Sequence, residues 1–213
     1  MSVANKIAEW LNKQVAEAKA KGLVFGLSGG IDSACVSRLS QLATSNSCLG
    51  VIMPCHSNPQ DEKDALLVAS HFKIQTIRVP LEETYDTLKG TAEESLLDIE
   101  QLQHSATDDT QVKVSSANIK PRLRMNTLYL IANRLNYLVA GTGNRSEIAI
   151  GYYTKYGDGG VDLLPIGQLV KREVQDLASE LGVPSQIIEK DPSAGLWLGQ
   201  TDEKEMGFTY EEL

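Results

Sequence analysis

Cysteine is scarce in this chain, and the three present, Cys35, Cys48 and Cys55, form no C-x-x-C pair. An odd count without metal-ligand spacing argues against a disulfide framework or a zinc site and points to a reducing, cytoplasmic setting. Basic charge is short as well: 20 Lys and Arg stand against 28 Asp and Glu, a net −8. Nucleic acid and anionic membranes draw proteins through a positive field, so neither is expected as a main partner. Long apolar runs are missing too. The longest uncharged stretch, 39–60, is broken by Ser, Thr, Asn, Gln, Pro and His, whereas a spanning helix needs about 20 mostly apolar residues. Residues 1–6 contain no apolar h-region, so no secretory signal is read there. What remains is an ordinary globular composition, 42% hydrophobic and 23% charged over 213 residues, large enough for one domain with its own core.

Hydrophobic periodicity alternates between helix and strand. Ile7, Leu11 and Val15 repeat every four residues, predicting an amphipathic helix over 3–20. Apolar runs at 23–27, 48–53, 74–79 and 137–140 read as strands, and 32–42, 61–72 and 171–181 as helices. Residues 81–103 carry mixed helical signals, and 105–111 are polar and expected to be mobile. A long helix is expected to end near Asn136, with Leu128, Ile131, Leu135 and Leu138 on one stripe. Strands alternating with helices imply an open parallel sheet flanked by helices, a Rossmann-like α/β fold. Ligands in such sheets sit beyond the carboxyl ends of the strands, which directs attention to the turns after Leu27, Met53 and Ala140.

The first of these turns is S-G-G-I-D-S, residues 28–33. Its glycines let the backbone approach a ligand, and its N–H groups at a helix start can form an anion nest. The structural alternative is a glycine-rich connector with a Ser or Asp cap. The chain has no G-x-x-x-x-G-K-[ST] phosphate loop, and the turn carries no lysine. Asp32 would repel a bare phosphate, so a bridging Mg²⁺ is expected. Glu147, just past the fourth strand, would bring a second carboxylate to the same sheet edge. Lys120, Arg122 and Arg124 put three cations beside Pro121, where a bound anion would relieve their unfavourable position at a helix start.

A lysine-free S-G-G-x-D-S turn between strand and helix resembles the pyrophosphate-binding loop of the ATP pyrophosphatase family, adenine-nucleotide α-hydrolase-like enzymes that adenylate a substrate. Four further segments resemble its NAD synthetase branch: N-I-K-P-R-L-R-M at 118–125, G-T-G-N-R-S-E at 141–147, T-K-Y-G-D-G-G-V-D-L-L-P at 154–165 and K-D-P-S-A at 190–194. The resemblance covers nearly the whole chain as a single domain, 1–213. It implies that Gly26, Leu27, Ser28, Gly29, Gly30, Ile31, Asp32 and Ser33 bind ATP phosphates, and that Thr142, Lys171 and Ser193 also contact ATP. Asp32 and Glu147 would hold Mg²⁺. Arg122, Lys155 and Asp162 would contact the substrate, deamido-NAD. Asp158 would hold or deprotonate ammonium, and Asp32, Lys171 and Asp158 form the implied catalytic set.

The resemblance further implies ATP-dependent amidation of deamido-NAD and a homodimer, with the leucine stripe as a candidate contact. Core packing within one subunit is the other reading of that stripe. No glutaminase domain fits in 213 residues, so the nitrogen donor is expected to be ammonia, free or passed from a separate glutaminase. Family members usually continue into a helical tail bearing a His-Lys pair, which is absent from this sequence. Residues 189–213 carry seven acids and two bases, and 198–206 are expected to be mobile without ligand. The rival readings are another amidating or thiolating pyrophosphatase and a noncatalytic ATP-binding module. The first lacks a cysteine pair and a basic RNA face for thiolation, and GMP synthetase does not account for the 154–165 segment.

Overall fold

The computed structural model describes residues 1–45, 47–97, 99, 109–193, 195, 197 and 200–210. Four strands, β1 (Gly22–Gly26), β2 (Cys48–Ile52), β3 (Thr76–Arg78) and β4 (Tyr137–Val139), form one all-parallel sheet ordered β3-β2-β1-β4. The central strand β1 pairs Val24 with Leu49 on one side and with Val139 on the other. Its side chains alternate between faces as strand pleating requires. Leu23, Phe25 and Leu27 enter one core, together with Cys48 and Ile52 of the β2 segment. Val24 enters the other, with Leu49, Val51, Met53 and Val139. Both faces are therefore buried, which explains why the strands read as unbroken apolar runs.

Helices α1 (Val3–Glu17), α2 (Ile31–Thr44), α3 (Pro59–Phe72) and α8 (Lys171–Leu181) supply residues to the first core. Helices α4 (Glu82–Leu96) and α6 (Ile119–Leu135) cover the second through Tyr85, Leu128 and Ala132. Leu11, Leu23, Phe25 and Leu39 are all fully buried, each contributing about 1.5–3 kcal/mol. The ends of α3 follow directly from local sequence. Asn58 accepts from the Gln60 amide, Pro59 starts the helix, Asp61 and Glu62 favour its positive end, and Lys73 closes it in the left-handed conformation. Short helices α5 (Asp109–Ala117), α7 (Arg145–Ile150), α9 (Ser185–Ile188) and α10 (Asp202–Met206) complete the described elements.

Several expectations need adjustment. The third strand is shorter than 74–79 and the first helix stops before residue 20. Residues 109–111 begin α5 rather than a mobile link, and 105–108 lie outside the described residues. The leucine stripe is not a single helix face: Leu128 is buried in the second core, Leu135 is exposed, and Leu138 belongs to β4, where it packs against the first core. Asn136 adopts φ 55° and ends α6, so the chain turns into β4 before the stripe is complete. Residues 202–206 form a short helix, which leaves the expected mobility of 198–206 untested, and Leu198 and Gly199 lie outside the described residues. Among the described residues no helix is long and apolar enough to cross a membrane.

Candidate active site

The carboxyl ends of β1, β2 and β4 open into a cleft of about 710 Å³. Its floor is the glycine turn between β1 and α2. Ser33 Oγ ties the turn together, accepting from the Ser28 hydroxyl at 3.1 Å and donating to the Gly30 carbonyl at 2.9 Å. Gly29 sits at φ +82°, and a Cβ there would run into the Asp61 carbonyl and reach 2.8 Å from Asp64 Cβ. Glycine is thus needed for conformation and for close approach to α3. Of the eight predicted phosphate positions, 26–33, all but Gly29 line the cleft, as do Thr142, Lys171 and Ser193.

A charged cluster, largely shielded from solvent, is built onto the turn at Asp32. Lys171 opens α8, is 4% exposed and donates its Nζ to Asp32 Oδ2 at 2.6 Å. Asn144 Nδ2 donates to the other Asp32 oxygen at 3.1 Å. The same Asn144 caps α7 by accepting from the Glu147 amide at 3.0 Å, while Glu147 Oε2 accepts from the Asn144 amide at 3.0 Å. This capping box fixes Glu147 beside Asp32. Burial and the Asp32 charge push the Glu147 carboxyl up to about 8, although Lys171 pulls the other way. Burial opposes the Lys171 charge, but Asp32 and Glu147 prevail and raise its pKa. Tyr210 lays its ring 5.1 Å from Lys171 Nζ and donates its hydroxyl to Asp202, itself 4% exposed, at 2.9 Å.

The far wall comes from the loop after α7. Thr154 donates its hydroxyl to Asn118, and Asp158 Oδ1 accepts from the Thr154 amide at 2.9 Å. Asp158 is exposed as a residue, yet its carboxyl is tucked into this loop, where burial raises its pKa. Lys190 bridges Asp61 at 2.8 Å and Asp64 at 2.6 Å, joining the segment that carries Ser193 to α3. The other predicted substrate contacts lie elsewhere. Arg122 donates to the Lys155 carbonyl at 3.2 Å, and Asp162 accepts from the Tyr129 hydroxyl and the Val139 amide at 2.9 and 2.8 Å. None of the three lines the cleft. Met53, Pro54 and Ser57 do line it. Cys55, by contrast, is fully buried, and His56 is bonded to Asp86 at 2.8 Å.

Sequence reasoning missed Asn144, although an Asn three residues before a Glu is a capping-box signal. Nothing local marks Asp202 or Tyr210, which reach the cluster only through the fold. The donor set suits a divalent cation, because two half-buried carboxylates at one point repel each other until an ion or a proton intervenes. Among the described residues no group of three or more His, Cys, Asp or Glu could hold a metal by itself, so phosphate oxygens and water must complete any coordination shell.

A family model described as NAD synthase matches residues 3–213. The NH(3)-dependent NAD(+) synthetase of Carboxydothermus hydrogenoformans is 54% identical over 208 residues, covering 98% of this chain and 81% of that protein. Among solved structures, NMN synthetase from Francisella tularensis superposes with a TM-score of 0.88 at 37% identity, over 99% of this chain and 82% of that one. The NH3-dependent NAD synthetase from Campylobacter jejuni follows at a TM-score of 0.75 and 31% identity, over 88% and 76% of the two chains.

Proposed function

The chain belongs to the NAD synthase family, and on that premise we propose that its cleft amidates deamido-NAD with ammonia, consuming ATP and releasing AMP and pyrophosphate. The observation that carries this reading is the shared cleft. A lysine-free glycine turn, with Lys171 paired to its Asp32, lines one cavity together with Thr142 and Ser193, and the chemistry needs no side-chain nucleophile.

A carboxylate is a poor acyl donor, and capping it with AMP turns its oxygen into a leaving group. In the first step the nicotinate carboxylate attacks the α-phosphorus, and the electron pair of the broken P–O bond leaves with pyrophosphate. Ser28 and Gly30 at the turn, together with Lys171, meet the charge that gathers on that leaving group. Asp32 and Glu147 would hold Mg²⁺, which supplies charge neutralisation on the phosphates. In the second step ammonia attacks the mixed anhydride, the C–O bond to AMP breaks and a proton is released. Asp158, whose pKa burial raises, is suited to hold ammonium and take that proton. The turn after Thr154 can close over the adenylate and limit hydrolysis.

Arg122, Lys155 and Asp162 are the proposed contacts to the dinucleotide. Their position outside the ATP cleft supports a substrate site completed by a second subunit. Exposed Leu88 and Leu96 on α4, Leu97 just after it and Leu130 on α6 supply an apolar surface for such a homodimer. A monomer by light scattering at micromolar concentration removes the dimer. The ammonia would come from solution or from a separate glutaminase.

The test is release of AMP and pyrophosphate with ATP, Mg²⁺ and ammonia. Deamido-NAD is compared with its mononucleotide counterpart, the natural competitor given the NMN synthetase relative, and with xanthosine monophosphate. Preference for deamido-NAD is expected. Cleavage to ADP, or preference for either alternative, overturns the assignment.

A further inference from the structure

Among the described residues, four cations line the cleft: Arg78, Arg124, Lys171 and Lys190. Three are already matched to carboxylates, Arg78 to Glu62, Lys171 to Asp32 and Lys190 to Asp61 and Asp64. Arg124 differs. Its Nε donates to the Met53 carbonyl at 3.3 Å and its Nη2 to Ser57 Oγ at 3.1 Å, both neutral acceptors. Among the described residues no carboxylate comes within 4 Å of its guanidinium. Arg124 is only partly buried, but holding a guanidinium partly out of water without an opposite charge still has a cost, and Asp158, Asp61 and Glu82 act on it only through space. A cation held this way, with its fork open to a cleft, is set for an anionic ligand.

The register of the sheet says which anion. Gly26 pairs with Val51, so Met53 follows β2 at the same carboxyl edge of the sheet where the glycine turn follows β1, and both line the cleft. Arg124 is anchored on Met53 and so flanks the turn on the β2 side. Lys171, paired with Asp32 and adjoining α7, flanks it on the β4 side. An ATP polyphosphate seated on the turn would lie between these two cations, with its pyrophosphate half at the turn and Lys171 and the phosphate that remains with adenosine toward Arg124. Asp158 lines the same cleft.

We propose that Arg124 is a catalytic residue that binds the α-phosphate of ATP, stabilising it while the substrate carboxylate displaces pyrophosphate and holding the resulting adenylate for ammonia. This rests on the amidation reading. The bond from the carboxylate oxygen to the α-phosphorus forms as the bond to the bridging oxygen breaks. The negative charge carried by the two non-bridging α-oxygens is what a forked guanidinium matches.

The test compares ATP with the separated diastereomers of ATPαS in wild type, Arg124→Met and Arg124→Lys, following pyrophosphate release with deamido-NAD and thermal melting in parallel. Arg124→Met should lose about 10²–10³-fold in kcat with melting little changed, and Arg124→Lys should recover part of it. Wild type should discriminate between the two diastereomers, and both variants should lose most of that preference, which a purely structural role would leave intact. An unchanged diastereomer ratio in either folded variant overturns the proposal. Arg124→Lys keeps the charge and supplies the reading if Arg124→Met does not fold. Failure of wild type to form AMP and pyrophosphate would instead sink the amidation reading.

Discussion

Lys171 Nζ and Asp32 Oδ2 lie 2.6 Å apart although 139 residues separate them in sequence. The pair joins the start of α8 to the start of α2, so the last major helix of the chain completes the site that the first glycine turn opens. Both groups are largely buried, with side-chain exposures of 5% and 18%, so neither can be removed without disturbing the charge balance of the cluster.

Asp32→Ala is therefore expected to abolish adenylation, by about 10³-fold or more in pyrophosphate release. The fold should persist, because Lys171 keeps Glu147 as a neighbour. Turnover close to wild type, with an unchanged circular dichroism spectrum, would remove Asp32 from the mechanism.

Asn144 serves two masters, the α7 cap and the Asp32 carboxylate. Asn144→Ala should cost about 1 kcal/mol in urea unfolding and reduce kcat about tenfold. Asn144→Ser can still cap the helix but is too short for Asp32. Stability should return in that variant while activity does not. Parallel recovery of both would mean that the cap alone matters.

Gly29→Ala places a methyl group against the Asp61 carbonyl at φ +82°. The strain should cost about 1–3 kcal/mol and weaken ATP binding in calorimetry, because relief requires the turn to move away from α3. Unchanged stability and ATP affinity would show that the turn adapts freely.

Asp64 is 3% exposed and bonded to Lys190, Gln60 and Gln186. Burial works against its charge, but these donors hold its carboxyl below the ordinary value of 3.8. A depressed folded pKa means that the unfolded chain binds the proton first. The stability it contributes is complete above about pH 4 and is lost as pH falls through the lower folded value. Asp64→Asn should be less stable than wild type at pH 6, with the difference shrinking below pH 4 in thermal melts. A difference that does not vary with pH would exclude this linkage.

The alternation of strands and helices was readable because each face of the sheet is buried. Apolar runs such as 23–27 then have one interpretation once glycine turns bound them. The leucine stripe at 128–138 misled for a related reason. Periodicity continues through Leu138, but Asn136 takes a left-handed conformation, and the side chains beyond it answer to a strand's period of two. At the site, residues 26–33, Thr142 and Glu147 could be named because they sit in compact strings of adjacent residues that carry the family resemblance. Asp202, Tyr210 and the bonding of Arg124 could not, because their neighbours are distant in sequence.

Sequence alone determined the sheet order's raw material, the glycine turn and the family to which the chain belongs, since these depend on local pattern and on strings of adjacent residues. Tertiary structure decided which charges neutralise one another. It gave Lys171 to Asp32 and Lys190 to Asp61 and Asp64, and left Arg124 among neutral acceptors. Coulomb energy falls with distance through space and rises as water is excluded, and neither quantity is written in the order of residues along the chain.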